Sequence, residues 1–236
     1  MKAELSSLSP AMRGLEEEGY GQGFTCIAGL DEVGRGPWAG PVVAAAVALP
    51  RGLIHPDIKD SKLLTARKRE ALAPWIKENA LGWGLGVVSS EEIDKINILQ
   101  ASLLAMAIAF KQLRPPPDCL LIDGSHKIPM AFLETDRQAT GKEAGLLPDA
   151  SCLTPVFPFQ RAIEKGDRLS ISIAAASIVA KVARDQMMVD LDRLYPEYGF
   201  ARHKGYGSPL HLAALSRYGP SPIHRRSFRP VREWMG

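Results

Sequence analysis

The sequence has few cysteines, and its cysteines and histidines do not form a zinc-binding pattern. The three cysteines are Cys26, Cys119 and Cys152, an odd number without the spacing of a metal site. Because disulfides are rare in reducing compartments, reduced thiols in a cytoplasmic protein are the simplest interpretation. We therefore expect a cytoplasmic protein whose chemistry does not depend on zinc.

Long apolar runs are also missing. No apolar stretch approaches the ~20 residues that a bilayer crossing needs, so we expect no membrane segment. The first 23 residues lack the apolar region of a secretory signal and carry glutamates at 4 and 16–18. We expect residues 1–23 to form a flexible or lightly packed extension. The total of 236 residues, 46% of them hydrophobic, suits one large globular domain or one and a half.

Two common phosphate-binding motifs are absent from the sequence. A nucleotide-binding oxidoreductase needs G-x-G-x-x-G after its first strand and an acid about 20 residues later. Here the glycines stand at 34, 36 and 40, and the nearby acids, Asp31 and Glu32, precede them. The G-K-[ST] of a P-loop phosphotransferase does not occur either. A non-catalytic nucleic-acid-binding module stays open, although such a module has no use for metal-type carboxylates.

Positive charge is concentrated at the C-terminal end. The net charge is only +3, but residues 201–236 contain seven Lys or Arg and a single acid, Glu233. An acidic body with a basic end suits a polyanionic substrate, since Lys and Arg neutralise phosphates and release counterions. A solvated basic terminus without a function explains the same pattern equally well.

Apolar patterns predict strands that alternate with helices. The predicted strands are 24–31, 42–49, 81–88, 118–123 and 151–157. The predicted helices are 66–79, capped by Thr65 and kinked or broken at Pro74, 91–113, 170–195 and 209–218. Early strands followed by interleaved helices predict an α/β fold with a mixed sheet.

Four acids stand where an α/β sheet presents ligands. Asp31 and Glu32 end an apolar run and precede the segment GRGPWAG, whose glycines let the backbone approach a ligand. Asp123 ends the predicted strand LLID, and Asp167 precedes a long apolar helix. Alternatively, Asp123 is a turn residue and Asp167 a helix cap. Four such carboxylates can hold two divalent ions about 4 Å apart, an arrangement that supports phosphodiester hydrolysis.

Eight motifs occur in order along nearly the whole chain. They are GLDEVGRGPWAGPVVAAAV (29–47), DSKLL (60–64), NILQASLLAM (97–106), LLIDG (120–124), KGD (165–167), AAASIVAKVARD (174–185), YPEYGFARHKGYGSP (195–209) and HRRSF (224–228). In these motifs the chain resembles bacterial ribonuclease HII, the type 2 ribonuclease H. The resemblance implies an α/β fold with a ribonuclease H-like mixed β-sheet flanked by helices and a small C-terminal helical subdomain. We place the catalytic domain at 24–195 and the basic, substrate-contacting subdomain at 196–236.

The resemblance implies an endoribonuclease that hydrolyses the RNA strand of RNA–DNA hybrids. It also implies incision of a DNA duplex 5′ to a single embedded ribonucleotide, which leaves 3′-OH and 5′-phosphate ends. Asp31, Glu32, Asp123 and Asp167 match the family's catalytic acids, which bind Mg²⁺ or Mn²⁺. We expect a monomer. The alternative is another two-metal nuclease of the same fold that acts on damaged or branched DNA.

Substrate contacts follow from the resemblance as well. Gly34, Arg35 and Gly36 match the segment whose backbone contacts the 2′-OH, the group that distinguishes RNA from DNA, and the adjacent phosphate. Tyr206, in HKGYG, matches the tyrosine that stacks on the next sugar and rejects a second 2′-OH there. A half-buried core tyrosine is the alternative. The expected phosphate contacts are Lys62 and Lys204.

Other residues share the pattern or lie beside it. Asp185 lies 18 residues beyond Asp167, about 27 Å along a straight helix, so we interpret it as an ion-pair residue outside the site. Three arginines are expected to hold the duplex backbone, and three histidines are expected to pack or form hydrogen bonds. These residues are Arg225, Arg226, Arg229, His203, His211 and His224. The residues that match the pattern without an assigned role are Ser61, Ser177 and Arg184.

An insertion is expected between the third and fourth acids. Asp123 and Asp167 are separated by 43 residues, where the resemblance leads us to expect roughly twenty. We place the surplus in a polar, loop-like insertion near 131–150. A flexible surface loop tolerates such length at little cost, and contact with nucleic acid or a partner is the alternative.

Overall fold

The structure, a computed structural model, describes residues 10–58, 61–134 and 157–235. Within them a five-stranded sheet is formed by β1 (Ile27–Val33), β2 (Val42–Ala48), β3 (Gly82–Val88), β4 (Cys119–Asp123) and β5 (Phe159–Ile163). The spatial order is β3-β2-β1-β4-β5. The β1–β2 and β2–β3 pairs are antiparallel, and the β1–β4 and β4–β5 pairs are parallel. The predicted mixed sheet is confirmed.

Helices cover both faces of this sheet. The α-helices of the described residues are α1 (Gly14–Gly21), α2 (Ala66–Asn79), α3 (Ser90–Phe110), α4 (Met130–Leu133), α5 (Ile171–Leu194), α6 (Phe200–His203), α7 (Pro209–Tyr218) and α8 (Arg229–Arg232). α3 packs on one face, and α2 and α5 pack on the other. α2 begins after its predicted cap Thr65 and continues through Pro74 instead of ending there.

Small residues allow both helical layers to lie close to the sheet. β2, with the sequence VVAAAVA, is buried along its whole length because it is covered on both faces. On β3, a Cβ added to Gly86 or Gly84 would collide with a backbone carbonyl of α3. On β1, a Cβ added to Gly29 would collide with the backbone at the start of α5. These contacts fix the distance between the sheet and its two long helices.

α3 is long and apolar enough to cross a membrane by length and composition, although no such stretch is expected from the sequence. In the structure it is a core helix, since Ile93, Ala101 and Met106 are buried against the sheet. The helix is kinked at Asn97, which has a φ of 66°, and the Asn97 side chain accepts hydrogen bonds from the N–H groups that open the second segment. Helices of this kind are common in soluble cores.

The N-terminal segment differs from its prediction. Residues 14–21, expected to be flexible or lightly packed, form α1, and Glu16 on α1 is buried. Its carboxylate accepts hydrogen bonds from the Ser170 hydroxyl at 2.5 Å and from the Ser172 N–H at 3.0 Å. A negative charge at the start of α5 is favoured by the helix dipole, which explains why a glutamate-rich segment docks there. Residues 1–9 lie outside the described part of the chain.

The fifth strand begins later in the chain than predicted. The prediction of a strand at 151–157 falls outside the described residues, except for Phe157, which is not in a strand. β5 pairs instead from Phe159, opposite Cys119, to Ile163, opposite Asp123. Of the insertion predicted near 131–150, residues 135–150 lie outside the described residues, so its role stays a prediction.

The C-terminal segment is bonded to the loop between β1 and β2. The backbone N–H of Trp38 donates to Gly205, and the Trp38 carbonyl accepts from the N–H of Arg225, both at 2.8 Å. Asp94 of α3 accepts hydrogen bonds from the N–H groups of Arg226 and Ser227. The loop and the basic segment are therefore held next to each other.

Candidate active site

The sheet topology brings four acids to one edge. β1 and β4 are parallel neighbours, and Leu30 pairs with Ile122, so Asp31 and Asp123 are the next residues on adjacent strands. Glu32 follows Asp31 on β1. Asp167 lies in a short 3₁₀ turn (Gly166–Arg168) that leads into α5. Since α5 packs on β1 and β4, this turn lies beside the same strand ends.

Hydrogen bonds and ion pairs fix the orientation of these acids. Asp123 Oδ1 accepts a hydrogen bond from the Gly166 N–H at 2.7 Å, which ties β4 to the turn that carries Asp167. Asp31 Oδ1 accepts from the Glu32 N–H at 2.7 Å. The ion pairs, both at the site, are Glu32 with Arg35 at 3.2 Å and Asp167 with Lys62 at 3.5 Å.

The carboxylates carry more negative charge than their surroundings balance. Burial raises the pKa of Asp31 well above its usual range, and the charges of Glu32, Asp123 and Asp167 raise it further. A hydrogen bond from Ser177 opposes this rise in pKa. Ser177 Oγ lies 2.8 Å from Ser61 Oγ. The two serines, which had no assigned role, are therefore hydrogen-bonded to each other, and Ser177 is hydrogen-bonded to Asp31.

The pKa values of Asp123 and Glu32 are raised as well. Burial raises the pKa of Asp123, the Gly166 N–H lowers it, and the charge of Asp167 raises it. Burial also raises the pKa of Glu32, while the Arg35 guanidinium lowers it. A buried group of carboxylates with raised pKa values gains stability when a cation binds among them.

The donors fit a hard divalent cation. All four are carboxylates, the ligands that Mg²⁺ and Mn²⁺ prefer. Within residues 10–58, 61–134 and 157–235, no three His, Cys, Asp or Glu side chains are grouped so that, as they stand, they could hold a metal ion. The acids are thus an open set, with Arg35 and Lys62 as the cations paired with two of them.

The side chain of Arg225 is hydrogen-bonded to the glycine-rich loop between β1 and β2 (residues 34–41). Its guanidinium is fully buried and donates to the carbonyl oxygens of Gly34 at 2.6 Å, Arg35 at 2.9 Å and Gly40 at 3.0 Å. Burial lowers the pKa of Arg225 to about 9, and the charge of Arg184 contributes. The prediction that Arg225 holds the duplex backbone is wrong, because its side chain has no exposed surface.

The bonds to Arg225 set the direction of the loop's amide groups. In a trans peptide the N–H points opposite to the C=O. Because the carbonyls of Gly34 and Arg35 point toward Arg225, the N–H groups of Arg35 and Gly36 point away from it. The loop therefore presents two backbone donors on the side opposite the buried guanidinium.

Arg184 supports the other end of the loop. It is fully buried and donates to the carbonyl oxygens of Pro41 at 2.9 Å and Lys204 at 3.0 Å. A Cβ added to Gly34 would collide with its side chain, so Gly34 is required by the close approach of Arg184. The sequence pattern included Arg184 but gave no signal that its partners are main-chain carbonyls.

The predicted substrate residues are not all in one place. Tyr206 is 44% exposed, and a Cβ on Gly36 would lie 3.6 Å from its ring, so the ring stands beside the loop. Lys62 lies at the acids. The Lys204 amino group donates to the Ala201 carbonyl at 2.7 Å, so it is occupied within its own segment.

The residues predicted to be structural have structural partners. Asp185 pairs with Lys181 one turn earlier in α5, at 2.7 Å, as an ion-pair residue would. His203, His211 and His224 are packed together and hydrogen-bonded.

Residues 28–231 match the family model of ribonuclease HII. The chain belongs to the ribonuclease HII family. Ribonuclease HII of Geobacter sulfurreducens is 50% identical over 227 residues, which cover 96% of this chain and 93% of that protein. Ribonuclease HII of Geobacter metallireducens is 53% identical over 211 residues, which cover 89% and 87%.

The fold agrees with this assignment. The crystal structure of ribonuclease H2 from Pyrococcus horikoshii OT3 superposes with a TM-score of 0.66 at 28% identity, and the match covers 89% of this chain and 96% of that one. As a member of this family, the protein is a nuclease with ribonuclease H endonuclease activity. The family is metal-dependent in general and acts on RNA–DNA hybrids.

Proposed function

We propose that the protein incises DNA duplexes 5′ to a single embedded ribonucleotide, in addition to cutting the RNA strand of RNA–DNA hybrids. The products would carry 3′-OH and 5′-phosphate ends. The observation that carries the proposal is the juxtaposition of four carboxylates, whose charge Arg35 and Lys62 balance only in part, with a loop that directs amide donors outward and a half-exposed tyrosine.

Asp31, Glu32, Asp123 and Asp167 would hold two divalent ions. Mg²⁺ or Mn²⁺ bound there would supply an activated water and neutralise the departing oxygen. Neighbouring residues stabilise the ionised form, which binds a cation, of two of these carboxylates. Ser177 and the Gly166 N–H bond to Asp31 and Asp123 and favour their ionised forms. Lys62, beside Asp167, places a positive charge where a substrate phosphate approaches.

The ribonucleotide would be recognised by the backbone between Gly34 and Gly36. Amide donors of Arg35 and Gly36 directed outward can bond the 2′-OH or the adjacent phosphate, and Arg225 fixes their direction. The Tyr206 ring, beside Gly36, would stack on the following sugar and exclude a 2′-OH there. The two contacts together would select an RNA-to-DNA junction.

Substitution of the acids tests the assignment of the site. In Mg²⁺, Asp31→Asn and Asp123→Asn should each lower cleavage of a single-ribonucleotide duplex by more than about a thousandfold, or ~4 kcal/mol of activation free energy. The matched control is Asp185→Asn, an acid on α5 outside the site, which should keep the wild-type rate within about twofold. Calorimetry should show Mn²⁺ binding to the wild type and to the control only. Undiminished cleavage by Asp31→Asn, with normal circular dichroism, would contradict the assignment.

We also propose a cytoplasmic monomer. Sedimentation equilibrium should give the mass of one chain, 25.7 kDa. A concentration-dependent mass near twice that value would contradict it.

A further inference from the structure

Three histidines of the C-terminal segment, two of them buried and His203 half-buried, form a cluster that the proposed chemistry does not use. His211 and His224 have 0% and 1% of their surface exposed, and their Nε2 atoms are 2.9 Å apart. The ring of His203 stacks on that of His211 with centroids 4.5 Å apart. Phe200 packs edge-on against His211. Buried imidazoles in such surroundings need a defined partner for every nitrogen.

The partners determine which nitrogens carry hydrogen. The Ser221 N–H donates to His224 Nδ1 at 2.9 Å, so this nitrogen is bare, and the Ser221 hydroxyl, whose Oγ lies 2.8 Å away, donates to it as well. His211 Nδ1 lies 2.9 Å from the Tyr206 carbonyl, which can only accept, so this nitrogen carries a hydrogen. One hydrogen remains for the bond between the two rings. It belongs to His224 Nε2, which donates to His211 Nε2.

Both rings are therefore neutral, and they are opposite tautomers. An additional proton on His211 Nε2 would place two N–H groups head to head across 2.9 Å. An additional proton on His224 Nδ1 would oppose the Ser221 N–H. Either change would break the chain of hydrogen bonds that runs from Ser221 to Tyr206.

This chain ends at the loop that carries Tyr206. Three successive carbonyls are held by three different parts of the fold: Lys204 by Arg184, Gly205 by the Trp38 N–H, and Tyr206 by His211. The Tyr206 side chain stays half-exposed beside Gly36. The backbone of the tyrosine is thus fixed while its ring faces the substrate side of the loop.

We propose that the His224–His211 pair is a positioning device for Tyr206, in which the order of the hydrogens sets the orientation of the Tyr206 peptide and with it the selectivity for the ribonucleotide junction. The proposal rests on the proposed function of Tyr206. His211 and His224 are positioning residues, since neither lies at the acids. If the two rings only filled space, apolar rings would be sufficient. The histidine pair instead links one donor, the Ser221 N–H, to one acceptor, the Tyr206 carbonyl.

Nuclear magnetic resonance of ¹⁵N-histidine-labelled protein tests the hydrogen order without reference to activity. Near pH 7.5, His211 should show the pattern of an Nδ1–H imidazole, and His224 that of an Nε2–H imidazole. Two rings of the same tautomer, or a charged ring, would overturn the proposal. This experiment stands whether or not Tyr206 reads the substrate.

Two substitutions at one position test the consequence. His211→Asn keeps a donor where Nδ1 stands, and His211→Phe removes it. The readout is the ratio of kcat/KM for a single-ribonucleotide duplex to that for an uninterrupted RNA–DNA hybrid. The Phe variant should lose about tenfold in this ratio, and the Asn variant should stay within about threefold of wild type. An unchanged ratio in a folded Phe variant would overturn the proposal.

A second position covers the case in which the Phe variant does not fold. His224→Phe leaves His211 without its donor and should lower the ratio in the same way, whereas His224→Gln keeps an N–H donor and should restore it. Equal ratios for these two variants would overturn the proposal. Tyr206→Ala separates the two levels of the argument: an unchanged ratio there contradicts the role of Tyr206 and leaves the tautomer result intact.

Discussion

Individual residues of the site differ in how their charge is balanced. Glu32 and Asp167 face the cations Arg35 and Lys62, whereas Asp31 and Asp123 accept hydrogen bonds from backbone N–H groups. Burial raises the pKa of Asp31, Glu32 and Asp123, and the hydrogen bonds and the Arg35 guanidinium offset only part of that rise. A divalent cation should therefore bind less tightly as the pH falls, since protons compete for the same oxygens.

Tyr206 carries the prediction on substrate selectivity. Tyr206→Ala should lower kcat/KM for the single-ribonucleotide duplex by about tenfold or more, because the stacking surface is lost. Cleavage of a long hybrid should fall less, since its next sugar is a ribose. The control is Tyr218→Ala, another half-exposed tyrosine, which should leave the ratio unchanged. Equal losses on both substrates would remove the junction-reading role.

The histidine pair carries a prediction on stability. Burial lowers the pKa of both His211 and His224 to about 4, from an ordinary value of 6.5. Between about pH 6.5 and pH 4, these two imidazoles therefore bind protons in the unfolded chain but stay neutral in the folded chain. The free energy of unfolding falls as the pH falls through this range. The loss should be about 1.5 kcal/mol per imidazole between about pH 6.5 and pH 5.

Urea unfolding of the wild type and of the double variant His211→Asn/His224→Gln at several pH values measures this effect. The variant lacks the two titrating rings and should lose less stability over the same interval. Parallel curves for the two proteins would contradict the lowered pKa values.

The sequence predicts the acids better than it predicts the residues that hold the loop. Asp31 and Asp123 could be predicted because strand ends in an α/β sheet face ligands, and the structure puts them side by side. The role of Arg225 could not be predicted, because an arginine in an arginine-rich segment is usually exposed to solvent. Its burial depends on main-chain carbonyls that come together only in the folded loop.

Among the secondary-structure elements, glycines and alanines set the distance between the sheet and the helices packed on it. Gly84 and Gly86 on β3 face α3, and the alanines of β2 are buried between α3 and α5. α5 in turn carries the turn with Asp167, and its start is bonded to Glu16 of α1. Packing between elements thus determines where the fourth acid lies.

Gly86→Ala tests this packing. The added methyl group collides with the Ala105 carbonyl of α3, so the free energy of unfolding should fall by about 2 kcal/mol or more. Gly14→Ala is the control, because a Cβ at Gly14 meets nothing within 4 Å and alanine favours the helix over glycine, so this variant should not lose stability. Equal stability of the two variants in urea would contradict the account.

Elements with a strong apolar period were predictable, and elements that depend on distant partners were not. α2 and α7 have the predicted bounds, since their caps and periodicity are local. α1 was not predicted, because its burial depends on Ser170 and Ser172, more than 150 residues away in the chain. β5 has little local signal and is defined by pairing with β4.

At the scale of the whole molecule, fewer of the C-terminal cations face solvent than the sequence implies. Arg225 is buried, and the Lys204 amino group bonds to its own segment. Arg226 and Arg229 remain exposed, on a segment that Asp94 ties to the body. These two arginines are the residues from this group that we expect to contact phosphates.

The salt dependence of substrate binding tests this expectation. The slope of log Kd against log salt for a duplex should fall by about 0.9 when either arginine is replaced, in Arg226→Gln or in Arg229→Gln. Arg51→Gln is the control, since Arg51 is exposed but lies just past Ala48, at the end of β2 opposite the acids. Binding measured by fluorescence anisotropy in buffer without divalent metal ions, so that the duplex is not cut, gives these slopes. An unchanged slope in both variants would exclude them as phosphate contacts.

Recognition of a lone ribonucleotide by a metal-dependent site is tested by mapping the position of a single cut. The substrate is a labelled DNA duplex with a single ribonucleotide, incubated with and without Mg²⁺ beside an all-DNA duplex and a branched DNA. We expect a Mg²⁺-dependent cut immediately 5′ to the ribonucleotide, with 3′-OH and 5′-phosphate ends and both control substrates intact. Cleavage of the branched DNA, or an intact single-ribonucleotide duplex alongside a cut RNA–DNA hybrid, would contradict it.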